Sequence, residues 1–267
     1  MLCRNHHKQV DDQEKEYTVE KLIEIKRQHE MWVAQSLSGE QKLRQRNLEV
    51  YADYIDKWRQ YFLVDEWKRW TSFLLQPTPL FYKKDFESIK KGKEWLFTRI
   101  WSSEIPQLED CFKNFFRISR DLMIVFGEFV DSETLEDSLR VKPFYETGNF
   151  TQQEYDELLN KFEFHVDFIF DLVAELTRAA NLVSDMIRAH IDPSFMLEGG
   201  RLVIQQGLNM NLQYVSHIPL YEKEDLENLY IGIKSFSDAR FDRDFYRGLQ
   251  KHRNFSELSY VAMDKND

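Results

Sequence analysis

The sequence predicts a mainly α-helical protein, a large helical bundle carrying one small β-hairpin near 201–216. Three observations carry that prediction. Apolar and aromatic side chains recur at helical spacing among Glu, Lys and Arg over most of the chain. Only 9 Gly and 6 Pro interrupt 267 residues, which with 31% charged residues does not describe a disordered chain. With 42% hydrophobic residues and no apolar run near 18 residues, the chain can build a core in water but shows no membrane span.

From the N-terminus, Val19, Leu22, Ile23, Ile25, Trp32 and Val33 fall near helical spacing behind Thr18, a natural N-cap, and predict a helix over about 18–36. The polar stretch Ser36-Leu37-Ser38-Gly39 ends it and is the best linker candidate in the chain. A long amphipathic helix is expected over 40–75, with Leu43, Leu48, Tyr51, Tyr54, Ile55, Trp58, Phe62 and Trp67 on one side, terminated by Pro77 and Pro79. Further helices are expected at 83–101, 105–130 and 151–190. The last is opened by a capping box, Thr151 with Glu154, and closed before Pro193. The rhythm breaks between Gly199 and Tyr221, where Leu202-Val203-Ile204 and Leu212-Gln213-Tyr214-Val215 are β-prone runs around Gly207. Helices resume at 222–234 and 237–250, and the tail after Asn254 should fray. Two parts follow: residues 1–36, and a helical domain over 40–267.

The net charge of −10 is unevenly distributed. Residues 105–198 hold eight basic and nineteen acidic side chains, a net of −11, so the rest of the chain is close to neutral. The overall acidity therefore does not exclude a nucleic-acid contact elsewhere. Two cysteines, Cys3 and Cys111, cannot make a disulfide framework, and no basic-then-apolar leader is present, so a cytoplasmic location is expected.

The chemistry-bearing segment is the first thirty residues. Cys3 and His6 stand in a C-x-x-H relation, with His7 directly after and Asp11 four residues further. A thiolate and an imidazole three apart can chelate one zinc ion from a single turn, leaving His7 for another metal. The run Leu-Cys-x-x-His-His-x-x-x-Asp, followed by Tyr-Thr-Val-Glu-x-Leu-x-x-Ile-Lys-x-x-His-Glu, resembles the C-terminal half of the HNH endonuclease motif over residues 2–30. The resemblance implies a truncated ββα-metal remnant at 1–36. It makes Cys3 and His6 half of a structural Zn2+ site, His7 a ligand of the catalytic divalent ion, Mg2+ or another, and Asp11 a supporting residue. The resemblance implies that the intact protein is a metal-dependent DNA endonuclease of bacterial defence or mobile DNA.

In that family the C-x-x-C pair, the general-base histidine and the orienting asparagine all precede the matched segment. His29, His165, His190, His217 and His252 are scattered, none beside a cysteine. The chain by itself is therefore expected not to cut DNA. Either Met1 is an internal methionine of a longer reading frame, or this is a degenerate form that kept the helical domain.

Other signals are plainer. Lys83, Lys84, Lys90, Lys91 and Lys93 could contact a phosphate backbone, although lysines on a helix are commonly a solvated face. The stripe Trp58, Phe62, Trp67, Trp70, Phe73 could stack bases but at helical spacing reads as core. Glu157, Glu163, Asp167, Asp171 and Glu175 lack the Glu-x-x-His spacing of a di-metal bundle, since Phe162 precedes His165 by three. Arg240, Arg243 and Arg247 with Asp238, Asp242 and Asp244 alternate in sign as an exposed, self-paired helix does. No Gly-rich phosphate loop and no G-x-S-x-G is present. The rival expectation is a non-catalytic helical interaction protein whose acidic 105–198 block binds a basic partner.

Overall fold

The computed structural model describes residues 17–36, 39–131, 137–143, 145–146, 148, 150–208, 214–227 and 229–239. It is mainly helical, with small antiparallel sheets, and divides into one unit over Met1–Tyr51 and a second over Ala52–Asp267. No helix among the described residues is long and apolar enough to cross a membrane.

In the first unit, α1 (Val19–Ser36) opens behind Thr18, whose carbonyl accepts from the Leu22 N–H at 2.9 Å. Leu22, Ile25, His29, Trp32 and Val33 fall on one face at 100° per residue. Trp32 on that face is 61% exposed and stacks on His29 at 5.6 Å. The next helix, α2 (Gly39–Tyr61), continues into the second unit.

The helix expected over 40–75 is broken. After Tyr61 the chain passes through Leu63 at φ 52°, a left-handed conformation, then a 3-10 turn at Val64–Glu66, before α3 (Trp67–Leu74). The break slips the apolar phase by one residue between Phe62 and Trp67, so Phe62, Val64 and Trp67 are all buried. That burial sustains a backbone conformation unfavourable for a non-glycine residue.

After Pro79 the chain forms β1 (Leu80–Tyr82), then α4 (Lys83–Phe97) and α5 (Pro106–Gly127), the latter opened by Pro106 at its first position. Both helices end a few residues before their expected limits. Past α5 the chain enters β2 (Val130–Asp131), and β3 (Ser138–Val141) lies between it and β1 in an antiparallel sheet ordered β1-β3-β2, with Phe81 opposite Leu139.

The longest helix, α6 (Gln152–His190), packs along α5 and starts on the expected capping box: Thr151 Oγ1 accepts from the Glu154 N–H, and Glu154 Oε2 accepts from the Thr151 N–H at 2.8 Å. The expected hairpin is present as β4 (Ile204–Leu208) and β5 (Tyr214–His217), irregular between Gln206 and Leu208 where Gly207 sits. The helix expected over 222–234 is not formed. Asp225–Glu227 make a single 3-10 turn, Glu222 donates its N–H to the Asp225 carboxylate, and Gly232 at φ 98° precedes α7 (Ile233–Ala239). Of the helix expected over 237–250, α7 holds the start, and the rest lies outside the described residues.

The core of the second unit is aromatic. Trp58 meets Phe112 and Phe115 edge-on, Phe62 packs on Phe115 at 4.7 Å, and Trp67 and Trp70 are in contact at 4.9 Å. A close approach in this core is at Gly92 of α4, where an added Cβ would lie 2.7 Å from Tyr61 Cβ and 3.0 Å from the Phe62 ring. In a free helix Gly→Ala gains roughly 1 kcal/mol. Here the overlap reverses the sign, and Gly92→Ala is expected to cost about 1–2 kcal/mol net in urea unfolding. Stabilisation by this substitution would show that the α2–α4 contact yields freely.

Candidate functional site

Two arrangements in the second unit gather chemically active side chains. The first is the outer face where α4 and α5 run side by side. Phe97 stacks on Phe116 at 5.8 Å, Lys93 lies near enough to Arg120 to be repelled by it, and Phe86 meets Phe126 at 6.1 Å. Rising numbers on α4 thus pair with falling numbers on α5, so the helices are antiparallel here. At the Phe97 end lies an open cleft of about 250 Å³ between the last turn of α4 and the first turns of α5. Phe97 beside it is 75% exposed.

The charges of this face are sorted by burial. Of the carboxylates on α4 and α5, Asp85, Glu109 and Asp121 are buried, leaving Glu87, Glu94 and Asp110 outside. Asp85 is held by both Nη atoms of Arg69 at 2.7 and 3.1 Å, and Glu109 accepts from the Ser103 N–H at 2.7 Å. The basic side chains, by contrast, reach the surface. Lys90 and Arg117 are exposed, Lys93 is half-buried, and these three make no ion pair among the described residues. Burial first, and Arg120 second, push the Lys93 ammonium below its ordinary value. An anion brought to this face would relieve that repulsion.

The second arrangement is a buried polar seam joining α5, α6 and the segment after the hairpin. Tyr221 donates its hydroxyl proton to Glu175 Oε1 at 2.8 Å and accepts from Asn114 Nδ2 at 3.2 Å. Asn114 Oδ1 accepts from the Tyr230 N–H at 3.0 Å. The Tyr230 hydroxyl donates to Asp121 Oδ2 at 2.9 Å, and Arg120 covers the other Asp121 oxygen at 2.8 Å. Burial, then the Asp121 carboxylate, holds the Tyr230 phenol well above its usual range. Asn181 fastens the same region by accepting from the Leu202 N–H and donating to the Leu202 and Pro219 carbonyls. Every group named is matched to a partner, which suits a clamp better than a reaction centre.

The sequence-predicted residues fare differently. Cys3, His6, His7 and Asp11 lie outside the described residues. The lysines of α4 do not form one row: Lys83 and Lys90 share a face, Lys84 and Lys91 lie on its other flank, and Lys93 leans toward α5. In the aromatic stripe Trp58, Phe62, Trp67 and Trp70 are core, and Phe73 is half-buried edge-on to Tyr82. Asp167, Asp171 and Glu175 recur every four residues on the buried face of α6, whereas Glu157 is exposed and Glu163 half-buried. No group of three or more His, Cys, Asp or Glu among the described residues is arranged to hold a metal. Within the acidic 105–198 block Glu109, Asp121, Asp167, Asp171 and Glu175 are buried, whereas Asp110, Glu146, Glu154, Asp156, Glu157, Asp192 and Glu198 are exposed. Cys111 is buried, and burial with Asp110 pushes its thiol up to about 12, leaving it protonated at neutral pH.

Sequence reasoning passed over Phe97, Arg117 and Arg120. A legible signal existed, since Lys113, Arg117 and Arg120 recur at i, i+4 and i+7, but they sit inside the segment whose summed charge is −11. No protein-family model, curated protein or solved structure matches the chain.

Proposed function

We propose that the chain is the C-terminal portion of an HNH-type metal-dependent DNA endonuclease, a remnant of the metal module joined to a helical domain that senses, regulates or assembles. The observation that carries this reading is the run Leu2-Cys3-x-x-His6-His7 leading, at the family's spacing, into the helix Val19–Ser36. Support comes from the outward apolar face of α1, where Ile25 and Trp32 are exposed. A soluble helix seldom leaves such a strip uncovered unless it packs on another element, and a metal module is the element this resemblance supplies.

The donor set fits zinc in kind and not in number. A thiolate and an imidazole are ligands zinc takes, but Cys3 and His6 fill two of the four tetrahedral positions. His7 would hold the catalytic divalent ion, whose chemistry is to neutralise charge at the scissile phosphate. The residues present include no counterpart of the general base, so this chain alone is expected not to hydrolyse DNA. Zinc content of the purified protein, read by mass spectrometry against a chelator series, tests the reading. The chain should take up zinc weakly or as a metal-bridged dimer, and Cys3→Ser should abolish that uptake. Uptake unchanged by Cys3→Ser, or none in the parent chain, would remove the metal-module assignment.

A further inference from the structure

We infer that the α4–α5 face is a docking surface for single-stranded DNA, which lays its phosphates along Lys90, Lys93 and Arg117 and stacks a base on Phe97. The inference deepens the endonuclease reading and rests on it for the choice of DNA among polyanions. Charge complementarity is the first support. In a chain of net charge −10 this face turns basic side chains outward while half of its own carboxylates are buried. Burying a carboxylate needs a compensating partner, and Arg69 and Arg120 provide it for Asp85 and Asp121. What remains outside is an excess of cations, three of them without an ion pair among the described residues.

The aromatic groups decide between polyanions. Phe97 is 75% exposed at the end of α4, yet its ring is held by stacking on Phe116, and Ile100 beyond it is 84% exposed. Water does not favour that exposure, and the carboxylates of an acidic peptide do not cover it. A nucleobase does, because every base has a π-face. In a duplex the bases are already stacked on one another, so the single strand is the form that can use Phe97. Lys90, Lys93 and Phe97 lie within about 10 Å of helix on α4, seven residues at 1.5 Å rise, and Arg117 is the residue after Phe116, on which Phe97 stacks. A strand lying along this face would therefore have basic side chains from both helices beside it.

The test is fluorescence anisotropy of a labelled oligothymidylate titrated with the whole chain. With about three phosphates neutralised, log affinity should fall with log salt at a slope near −2, about 15-fold between 50 and 200 mM. The double variant Lys90→Glu, Arg117→Glu should weaken binding by more than tenfold and flatten that slope. Phe97→Ala should weaken binding about fivefold and leave the slope unchanged, since stacking carries no counterion release. All three side chains are exposed, so circular dichroism should show folded variants. Binding unaffected by the double variant would overturn the proposal. So would a duplex bound as tightly as the single strand, indifference to Phe97→Ala, or displacement by polyglutamate at equal charge, the last making the face a site for an acidic protein. Cys3→Ser changes none of the side chains assigned to this surface, so loss of zinc with retained oligothymidylate binding, or the reverse, separates failure of one reading from failure of the other.

Discussion

Trp58→Ala is expected to lower the free energy of unfolding of the helical unit by about 3–5 kcal/mol, read as a shift of the urea midpoint at unchanged slope. Trp58 is fully buried on α2 and meets Phe112 and Phe115 of α5 edge-on at 5.8 and 5.6 Å. Removing the indole costs its transfer from water and leaves a cavity among rings that can close in only partly. The conservative change behaves differently. Trp58 Nε1 has no acceptor among the described residues, so the native state already carries a buried, unsatisfied N–H. Trp58→Phe keeps an aromatic ring at the centre of the cluster and removes that N–H, and should cost less than about 1.5 kcal/mol. Equal losses in the two variants would show that the indole is held by a hydrogen bond rather than by packing.

The features that were legible in the sequence are those fixed locally. Thr151 and Glu154 bond each other's backbone three residues apart, and Gly207 sits at the irregularity of its hairpin. The features that were not legible depend on distant partners. Phe81 meets Leu139 across the β1–β3 pairing, a contact that a three-residue strand does not announce. Residues 222–232 have the composition of a helix, but Asn114 of α5 takes the backbone N–H of Tyr230, and Asp121 takes its hydroxyl. A helix there would have to give up both bonds. The break at Leu63 escaped because apolar residues continue through it, and a one-residue slip of phase at Phe62 looks like ordinary scatter in a helical pattern. The same limit applies to the candidate surface. Lys90 and Lys93 could be picked out on α4, but their meaning depends on which helix lies beside them. That helix is α5, whose basic row is hidden within an acidic segment.

His165 should make the protein acid-sensitive above the range in which its carboxylates titrate. It is 5% exposed on α6, Phe129 sits edge-on at 4.8 Å, and its Nε2 has no partner among the described residues. Burial pushes its pKa down from 6.5 to about 4, because an imidazolium in that position would lose its hydration with nothing to replace it. Above pH 6.5 the ring is neutral in both states and makes no difference to stability. As pH falls from 6.5 toward 4, the unfolded chain takes up a proton that the folded chain refuses, so the unfolded state gains and stability is lost across that window. Below about 4 both states are protonated and the loss levels off. A displacement of this size corresponds to about 3 kcal/mol. The check is the difference in unfolding free energy between the parent chain and His165→Phe as a function of pH, which cancels the carboxylates common to both. That difference should stay level above pH 7 and move by about 3 kcal/mol in favour of the variant by pH 4. A difference that stays constant down to pH 4 would mean that His165 keeps its proton in the fold, and a polar group would then have to stand within reach of Nε2.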